Sequence, residues 1–279
     1  MNFTIIGVGL IGGSMALSLK NKGFVQKVIG VDNNEDHIQQ ALSLGLIDES
    51  LSLLEAIDAA DIILLATPIG AAEKLLPMIL DRVVNQTVFD VGSTKKSICD
   101  IVAIHPNRKR FVATHPMWGT ENSGPSAAIK EGFVNKATVI CCKEESDEDA
   151  AALVEKIYGI LEMHLLYMNA ADHDMHVAYI SHIAHITSFA LANTVLEKEK
   201  EEDAIFELAS AGFESTVRLA KSNAAMWVPI FMQNRENVLD VLNEHIAQLR
   251  KFKSCLEKEN YEYLQELIEK ANGIRRILK

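Results

Sequence analysis

Three side chains stand where a bound alcohol could be deprotonated and a carboxylate held. His115 opens the string His115-Pro116-Met117-Trp118-Gly119-Thr120-Glu121-Asn122-Ser123-Gly124, directly after the apolar run Phe111 to Thr114. Imidazole, with a reference pKa near ~6.5, can accept a hydroxyl proton at neutral pH while hydride leaves the same carbon. Ser93 lies in Asp90-Val91-Gly92-Ser93-Thr94-Lys95, which follows the preceding apolar run. Arg218 sits in an apolar helical pattern, so it must be paired or face a cavity. A planar guanidinium suits a bidentate carboxylate, and an internal salt bridge with Glu121 or Glu214 is the structural alternative. If His115 only bonds its own loop, the chemistry needs another base.

A second group is Ser181-His182-Ile183-Ala184-His185. His182 and His185 share a helix face, where they could hold a metal, line a pocket or bond inside a core. There is no H-E-x-x-H and no third ligand at helical spacing, so no metal is expected. His173 and His176 can equally be surface residues.

A third group points to a dinucleotide. The run Phe3 to Ile6 leads into Gly7-Val8-Gly9-Leu10-Ile11-Gly12 with a helical pattern behind it. The first glycine permits a tight turn, the second lets backbone amides approach a pyrophosphate, and the third lets helix and strand pack closely. Asp32 ends the next apolar run twenty residues after Gly12, where a carboxylate can accept hydrogen bonds from an adenosine ribose. It would repel a 2′-phosphate, and Asn33 to Asp36 offer no Arg or Lys, so NAD is favoured over NADP. A glycine turn for another ligand, or an S-adenosylmethionine site, gives a similar pattern. Ala66-Thr67-Pro68 should form a loop beside the cofactor, with Pro68 as simple helix-start punctuation the alternative.

The elements that must position these groups change character along the chain. Strands are expected at Phe3 to Ile6, Val28 to Val31, Ile62 to Ala66, Val88 to Val91, Phe111 to Thr114 and Thr138 to Cys142. Several are unbroken β-branched runs, as in strands covered on both faces. Helices are expected at Gly12 to Lys22, Asp36 to Leu44, Ala71 to Arg82 and Ser97 to Ala103, which makes the first half a doubly wound parallel α/β sheet. After Lys143 to Asp149 the pattern is helical throughout. Helices are expected near Asp149 to Glu162, Ala171 to Lys198, Asp203 to Leu219, Asn234 to Lys253 and Asn260 to Ile274, with Pro229 as an interruption. The domains are thus 1–146 and 147–279. Glu197 to Asp203 reads as a solvated helix end or turn, with a binding tail as the alternative.

Composition limits the function. With 279 residues, 48% apolar and 23% charged, the chain is globular rather than disordered or disulfide-stapled. A net charge of −11 disfavours nucleic acid. Cys99, Cys141, Cys142 and Cys255 lack C-x-x-C spacing and read as buried thiols of a reducing compartment, hence cytoplasm. No signal peptide is evident. Val177 to Leu196 lacks charged residues but holds too many polar groups for a lone lipid-facing span, so no membrane is expected and a helix buried in the domain centre is the reading.

Taken together, G-V-G-L-I-G-G-S, D-V-G-S-T-K, H-P-M-W-G-T-E-N-S-G, S-H-I-A-H and T-V-R-L-A resemble the prephenate/arogenate dehydrogenase family of tyrosine biosynthesis, from Ile6 to Trp227. The resemblance implies a Rossmann domain, a helical carboxyl-terminal dimerisation domain and a homodimer. It further implies NAD-dependent oxidative decarboxylation of prephenate to 4-hydroxyphenylpyruvate, with arogenate as the alternative substrate. Matched motif to motif, His115 is the catalytic acceptor and Ser93 orients it or the hydroxyl. Arg218 binds a carboxylate, His185 with His182 lies on the substrate side, Thr120 and Glu121 line or gate the pocket, and Trp227 reaches toward the neighbouring subunit's site. Gly7, Gly9, Leu10, Ile11, Gly12, Asp32, Thr67 and Pro68 are the cofactor contacts. Thr94 stands where the family pattern has valine. The ending at Lys279 leaves no room for an ACT-type domain, so tyrosine feedback would act at the active site.

Two other readings are weaker. A β-hydroxyacid-type dehydrogenase needs a helix lysine, and none occurs from Ala171 to Glu197. An NAD-binding sensor would not require His115, Ser93 and Arg218 at one edge.

Overall fold

The computed structural model describes residues 1–199 and 208–277; the end of the acidic run 197–203 and the start of the helix expected from Asp203 lie outside them. Eight strands form one sheet: β1 Asn2–Ile6, β2 Lys27–Val31, β3 Glu49–Ser50, β4 Ile62–Leu65, β5 Thr87–Asp90, β6 Phe111–Pro116, β7 Ala137–Cys141 and β8 His164–Met168. Between and after them come α1 Leu10–Asn21, α2 Glu35–Ser43, α3 Leu53–Ala59, α4 Ile69–Arg82, α5 Lys96–Val102, α6 Glu148–Ile160, α7 Ala170–Val177, α8 Ile183–Glu199, α9 Ala211–Val217, α10 Ala224–Gln233, α11 Arg235–Glu257 and α12 Tyr261–Asn272.

The strand order is β3-β2-β1-β4-β5-β6-β7-β8. All pairs are parallel except β6 with β7, so the sheet is the doubly wound parallel one expected, with one antiparallel step at β7. The six expected strands are present. All four residues of β4, Ile62 to Leu65, are buried, as a strand covered on both faces requires. One apolar cluster gathers Phe3, Met15, Phe89 and Tyr158, and another gathers Ile63, Leu76, Phe111 and, from α10, Trp227 and Ile230. Thus the carboxyl-terminal helices share a core with the sheet's own helices.

Four elements escape the sequence reading: the two-residue β3, α3, β8 and α10. α3 starts at a capping box of Ser52 and Glu55, a signal that was present but sat in a segment without a long apolar period. β8 departs from the all-helical second half: it pairs with β7 in parallel, and α6 packs on the same sheet. We therefore place the domain division after Met168 rather than between 146 and 147.

The helical half differs in three further respects. The long helix expected from Ala171 to Lys198 is divided by a π-helical turn, Ala178–His182. Pro229 lies inside α10 instead of between helices, and the break comes at Asn234. In Val177 to Leu196 only Val177, Ala178, His182 and Ser188 are buried, so this stretch is not the centre of a core. Its Tyr179, Ile180 and Leu196 are exposed. No helix among the described residues is long and apolar enough to cross a membrane.

Candidate active site

The glycine turn meets the steric demands that its spacing implied. Gly7 has φ +99°, and a Cβ there would come within 2.6 Å of the Ala66 backbone. At Gly12 a Cβ would lie 2.4 Å from the Gly7 carbonyl oxygen. Gly9 is different: nothing lies within 4 Å of its would-be Cβ, and it begins α1 without a side-chain cap. The amides of the first turn, Leu10 to Gly12, therefore face open space with the positive end of a helix dipole behind them, which suits a pyrophosphate. Asp32 Oδ2 accepts from Val8 N at 3.0 Å and Oδ1 from Asn34 N at 2.9 Å, so the carboxylate is held beside the turn. His37 Nδ1 lies 3.5 Å from the same Oδ2. Among the described residues Thr67 Oγ1 is buried without a partner, a polar atom left for a ligand, and Pro68 caps the start of α4. These residues fit a dinucleotide.

At the other end of the crevice His115 occupies β6, next to β5 and the Asp90 to Lys95 loop. Its Nδ1 lies 2.9 Å from Nε2 of His173, and Nδ1 of His173 lies 2.8 Å from Oδ1 of Asp174. His173 is fully buried and His176 exposed, so the reading of both as surface residues is corrected for His173. Asp174 is fixed in turn by the backbone amides of Lys95 (2.7 Å) and Lys96 (2.9 Å) at the start of α5.

This series has only one protonation pattern while both rings are neutral. Asp174 can only accept, so His173 Nδ1 carries the proton and its Nε2 the lone pair. His115 Nδ1 must then donate, which leaves Nε2 of His115 as a free base. Neutrality follows from the surroundings: desolvation first, then the charges of His173 and Lys95, hold His115 well below the usual imidazole pKa. Burial likewise lowers His173. Beneath them Lys95 and Asp90 form a fully buried ion pair, and Lys95 Nζ also donates to the Thr114 carbonyl at 2.8 Å.

Asp174 carries no signal in the sequence and His173 reads there only as a surface residue; adjacent on α7, they show no spacing that points to a distant partner. Ser93 lies half-buried in the β5–α5 loop, with no hydrogen bond to its hydroxyl among the described residues. Its neighbour Thr94, the departure from the family pattern, donates to Gln233 Oε1 at 2.7 Å and so ties this loop to α10.

The other expected residues cluster on the helical side. His185 stacks on Trp227 with centroids 3.5 Å apart, and His182 meets Trp227 edge-on at 5.9 Å. Trp227 is thus packed against two histidines of its own chain, and among the described residues its buried indole N–H has no partner. Arg218 follows α9 and is half exposed rather than enclosed by an apolar helix, and it pairs with Glu121 at 3.3 Å. Thr120 Oγ1 accepts from Asn122 N at 3.2 Å within the same loop.

Comparison with known proteins bears on this arrangement. Residues 15–166 match the family model of the prephenate dehydrogenase nucleotide-binding domain, and residues 169–270 that of the prephenate dehydrogenase dimerization domain. Prephenate dehydrogenase of Bacillus subtilis is 30% identical over 97% of this chain and 74% of its own length. The crystal structure of the Aquifex aeolicus prephenate dehydrogenase, in complex with hydroxyphenyl propionate and NAD+, superimposes with a TM-score of 0.91 at 30% identity, covering 100% of this chain and 98% of that one. Synechocystis arogenate dehydrogenase gives 0.78 at 28% identity, with both chains fully covered. With a glycine turn that fits a dinucleotide, an imidazole base at the same sheet edge and these matches along nearly its whole length, the chain belongs to the prephenate dehydrogenase family of NAD-dependent oxidoreductases.

Proposed function

We propose that the chain oxidatively decarboxylates prephenate to 4-hydroxyphenylpyruvate, with His115 as the catalytic base. The observation that carries this reading is the series His115–His173–Asp174, which leaves the lone pair of His115 Nε2 free at the edge of the sheet. NAD supplies the hydride acceptor. His115 takes the ring hydroxyl proton as hydride leaves the carbon bearing that hydroxyl. The bond to the ring carboxylate then breaks, its electron pair completes the aromatic ring, carbon dioxide departs, and the proton returns from His115 to the phenolic oxygen. Aromatisation drives the sequence; the protein contributes alignment and a base of suitable pKa.

Ser93 orients the hydroxyl or His115, and Thr120 and Glu121 border the entrance. Arg218 exchanges Glu121 for a substrate carboxylate, an exchange favoured by the exposed and therefore weak character of that ion pair. Trp227 offers its free indole N–H. Gly7, Gly9, Leu10, Ile11, Gly12, Thr67 and Pro68 hold the dinucleotide, and Asp32 selects NAD over NADP by repelling a 2′-phosphate. A homodimer forms through the helical half, where Tyr179, Ile180, Val228, Met232 and Leu249 expose apolar surface. The match to a dimerization-domain model supports this assembly.

Prephenate is put ahead of arogenate because both matching family models and the Bacillus subtilis relative are those of prephenate dehydrogenases. The test is NADH or NADPH formation from each substrate with each cofactor. The highest kcat/KM is expected for prephenate with NAD; a preference for arogenate, or no turnover of either, overturns the reading.

A further inference from the structure

We infer that Asn234 is a positioning residue that fixes His182 as a neutral hydrogen-bond donor for a substrate carboxylate, opposite in polarity to His115. The inference rests on the reading above that a dicarboxylate binds beside His115. Asn234 is 3% exposed and stands at the junction of α10 and α11. Its Nδ2 lies 2.7 Å from the backbone oxygen of Asp174 and 3.2 Å from Nδ1 of His182, while its Oδ1 accepts from Asn237 Nδ2 at 2.7 Å.

These contacts leave no freedom in the proton positions. A backbone carbonyl cannot donate, so the atom facing Asp174 O must be the amide nitrogen. Both amide hydrogens are then in use, and the second points at His182 Nδ1. His182 Nδ1 therefore accepts, and the single proton of the neutral ring sits on Nε2. Neutrality is secure, since burial pushes His182 down to about 4 against the opposing pull of Asp174. The ring, 1% exposed, lies between Trp227 and Phe231. Its titratable neighbours are Asp174 and His173 from α7, His185 from α8 and His115 from β6. Nε2 makes no hydrogen bond among the described residues.

His185, one helical turn on, has the reverse pattern. Its Nδ1 faces the Ser181 carbonyl at 3.0 Å and must donate, which leaves a lone pair on Nε2. Neutral His185 therefore cannot donate to an anion from Nε2, and burial together with Arg218 disfavours its protonation. Of the two helix histidines, only His182 can donate without first gaining a proton. The π-helical turn that ends at His182 supplies the local change in helical phase that turns this residue inward, a use to which such turns are often put. Asp174 thus sets both polarities: its carboxylate, through His173, makes His115 an acceptor, and its backbone oxygen, through Asn234, makes His182 a donor.

The first experiment needs no substrate. In protein carrying ¹⁵N-labelled histidine, the His182 ring should show a protonated Nε2 and a bare Nδ1 at neutral pH, with the signals assigned by their loss in His182→Gln. In Asn234→Asp a carboxylate replaces the donor, so Nδ1 should gain a proton and the ring should titrate in the neutral range. A protonated Nδ1 in the unaltered protein, or an unmoved titration in a folded Asn234→Asp variant, overturns the inference. A second arm keeps Asn234 intact. His182→Gln places an amide nitrogen near the Nε2 position and should keep KM for prephenate within about threefold, whereas His182→Phe should raise KM about tenfold or more with a smaller change in kcat. Equal KM values for the two variants also overturn it. Failure of the unaltered enzyme to turn over prephenate would strike the proposed function alone, because the ring protonation is read without substrate.

Discussion

The two ends of the crevice are built by different means. At the cofactor end Gly7, Gly9 and Gly12 fall within one turn and the start of one helix, and Asp32 reaches that turn through a single bond to Val8 N at 3.0 Å. What matters there is backbone shape: a positive φ, a close approach and an open first turn. At the acid–base end the partners that link one element to another are far apart in sequence. His115 and His173 are separated by 58 positions, Lys95 and Asp174 by 79, and Asp174 and Asn234 by 60. What matters there is which nitrogen carries a proton, decided by acceptor-only groups far along the chain. A cofactor site can therefore be written locally, whereas a tautomer requires the assembled fold.

The largest expected effect comes from removing the base. His115→Asn should lower kcat by about 10²–10⁴, the usual contribution of general-base catalysis, while NAD affinity measured by titration stays nearly unchanged. Wild-type turnover in this variant would place the base elsewhere; loss of NAD binding would mean that the two ends are not separable.

Next is the end of the series. In Asp174→Asn one oxygen must replace two, so either the Lys96 amide, or His173 Nδ1 together with the Lys95 amide, loses its acceptor. A drop in kcat of about 100-fold is expected, with KM for NAD changed little, by analogy with loss of the carboxylate that fixes a histidine tautomer in a catalytic triad. An unchanged kcat would show that His115 keeps its tautomer without Asp174.

The sequence made the cofactor end legible because spacing alone encodes it, and the same holds for His115, which follows an apolar run at a predictable sheet edge. His173 was misread because a lone histidine near a helix start has no visible partner 58 positions away. In the sequence Asn234 reads only as a helix start, and its side chain acquires meaning once α10 ends at that point. The stacking of Trp227 on His185 at 3.5 Å is likewise invisible in the linear pattern. β8, His164 to Met168, escapes such a reading because its apolar run holds none of the β-branched residues that mark the inner strands, and it lies mostly exposed at the sheet edge.

The acid–base end should also be the acid-sensitive part of the fold. His115, His173, His182 and His185 all have native pKa values below that of a free imidazole. As pH falls through about 6.5 the unfolded chain takes up protons that the native chain refuses, so stability is complete above that pH and declines below it. For His182, with a native value of about 4, the loss across that interval is roughly 3 kcal/mol. Urea unfolding between pH 7 and pH 5 should show stability falling with pH, less steeply in His182→Phe. This window lies above the titration of the unfolded carboxylates, so a flat profile would mean that these rings are not neutral in the native state.

The cofactor end offers the smallest and cleanest test, because its glycines do different work. Gly9 has φ −88°, which alanine tolerates, and no atom within 4 Å of the would-be Cβ. Gly9→Ala should therefore fold with a melting temperature within about 2 °C of the unaltered protein, yet bind NAD about tenfold more weakly, since the methyl group enters the space in front of the α1 amides. Gly12→Ala, whose Cβ would sit 2.4 Å from the Gly7 oxygen, should instead destabilise the domain before any ligand is added. If Gly9→Ala binds NAD normally, the pyrophosphate does not approach this turn. If it unfolds like Gly12→Ala, the open space at Gly9 belongs to packing rather than to the ligand.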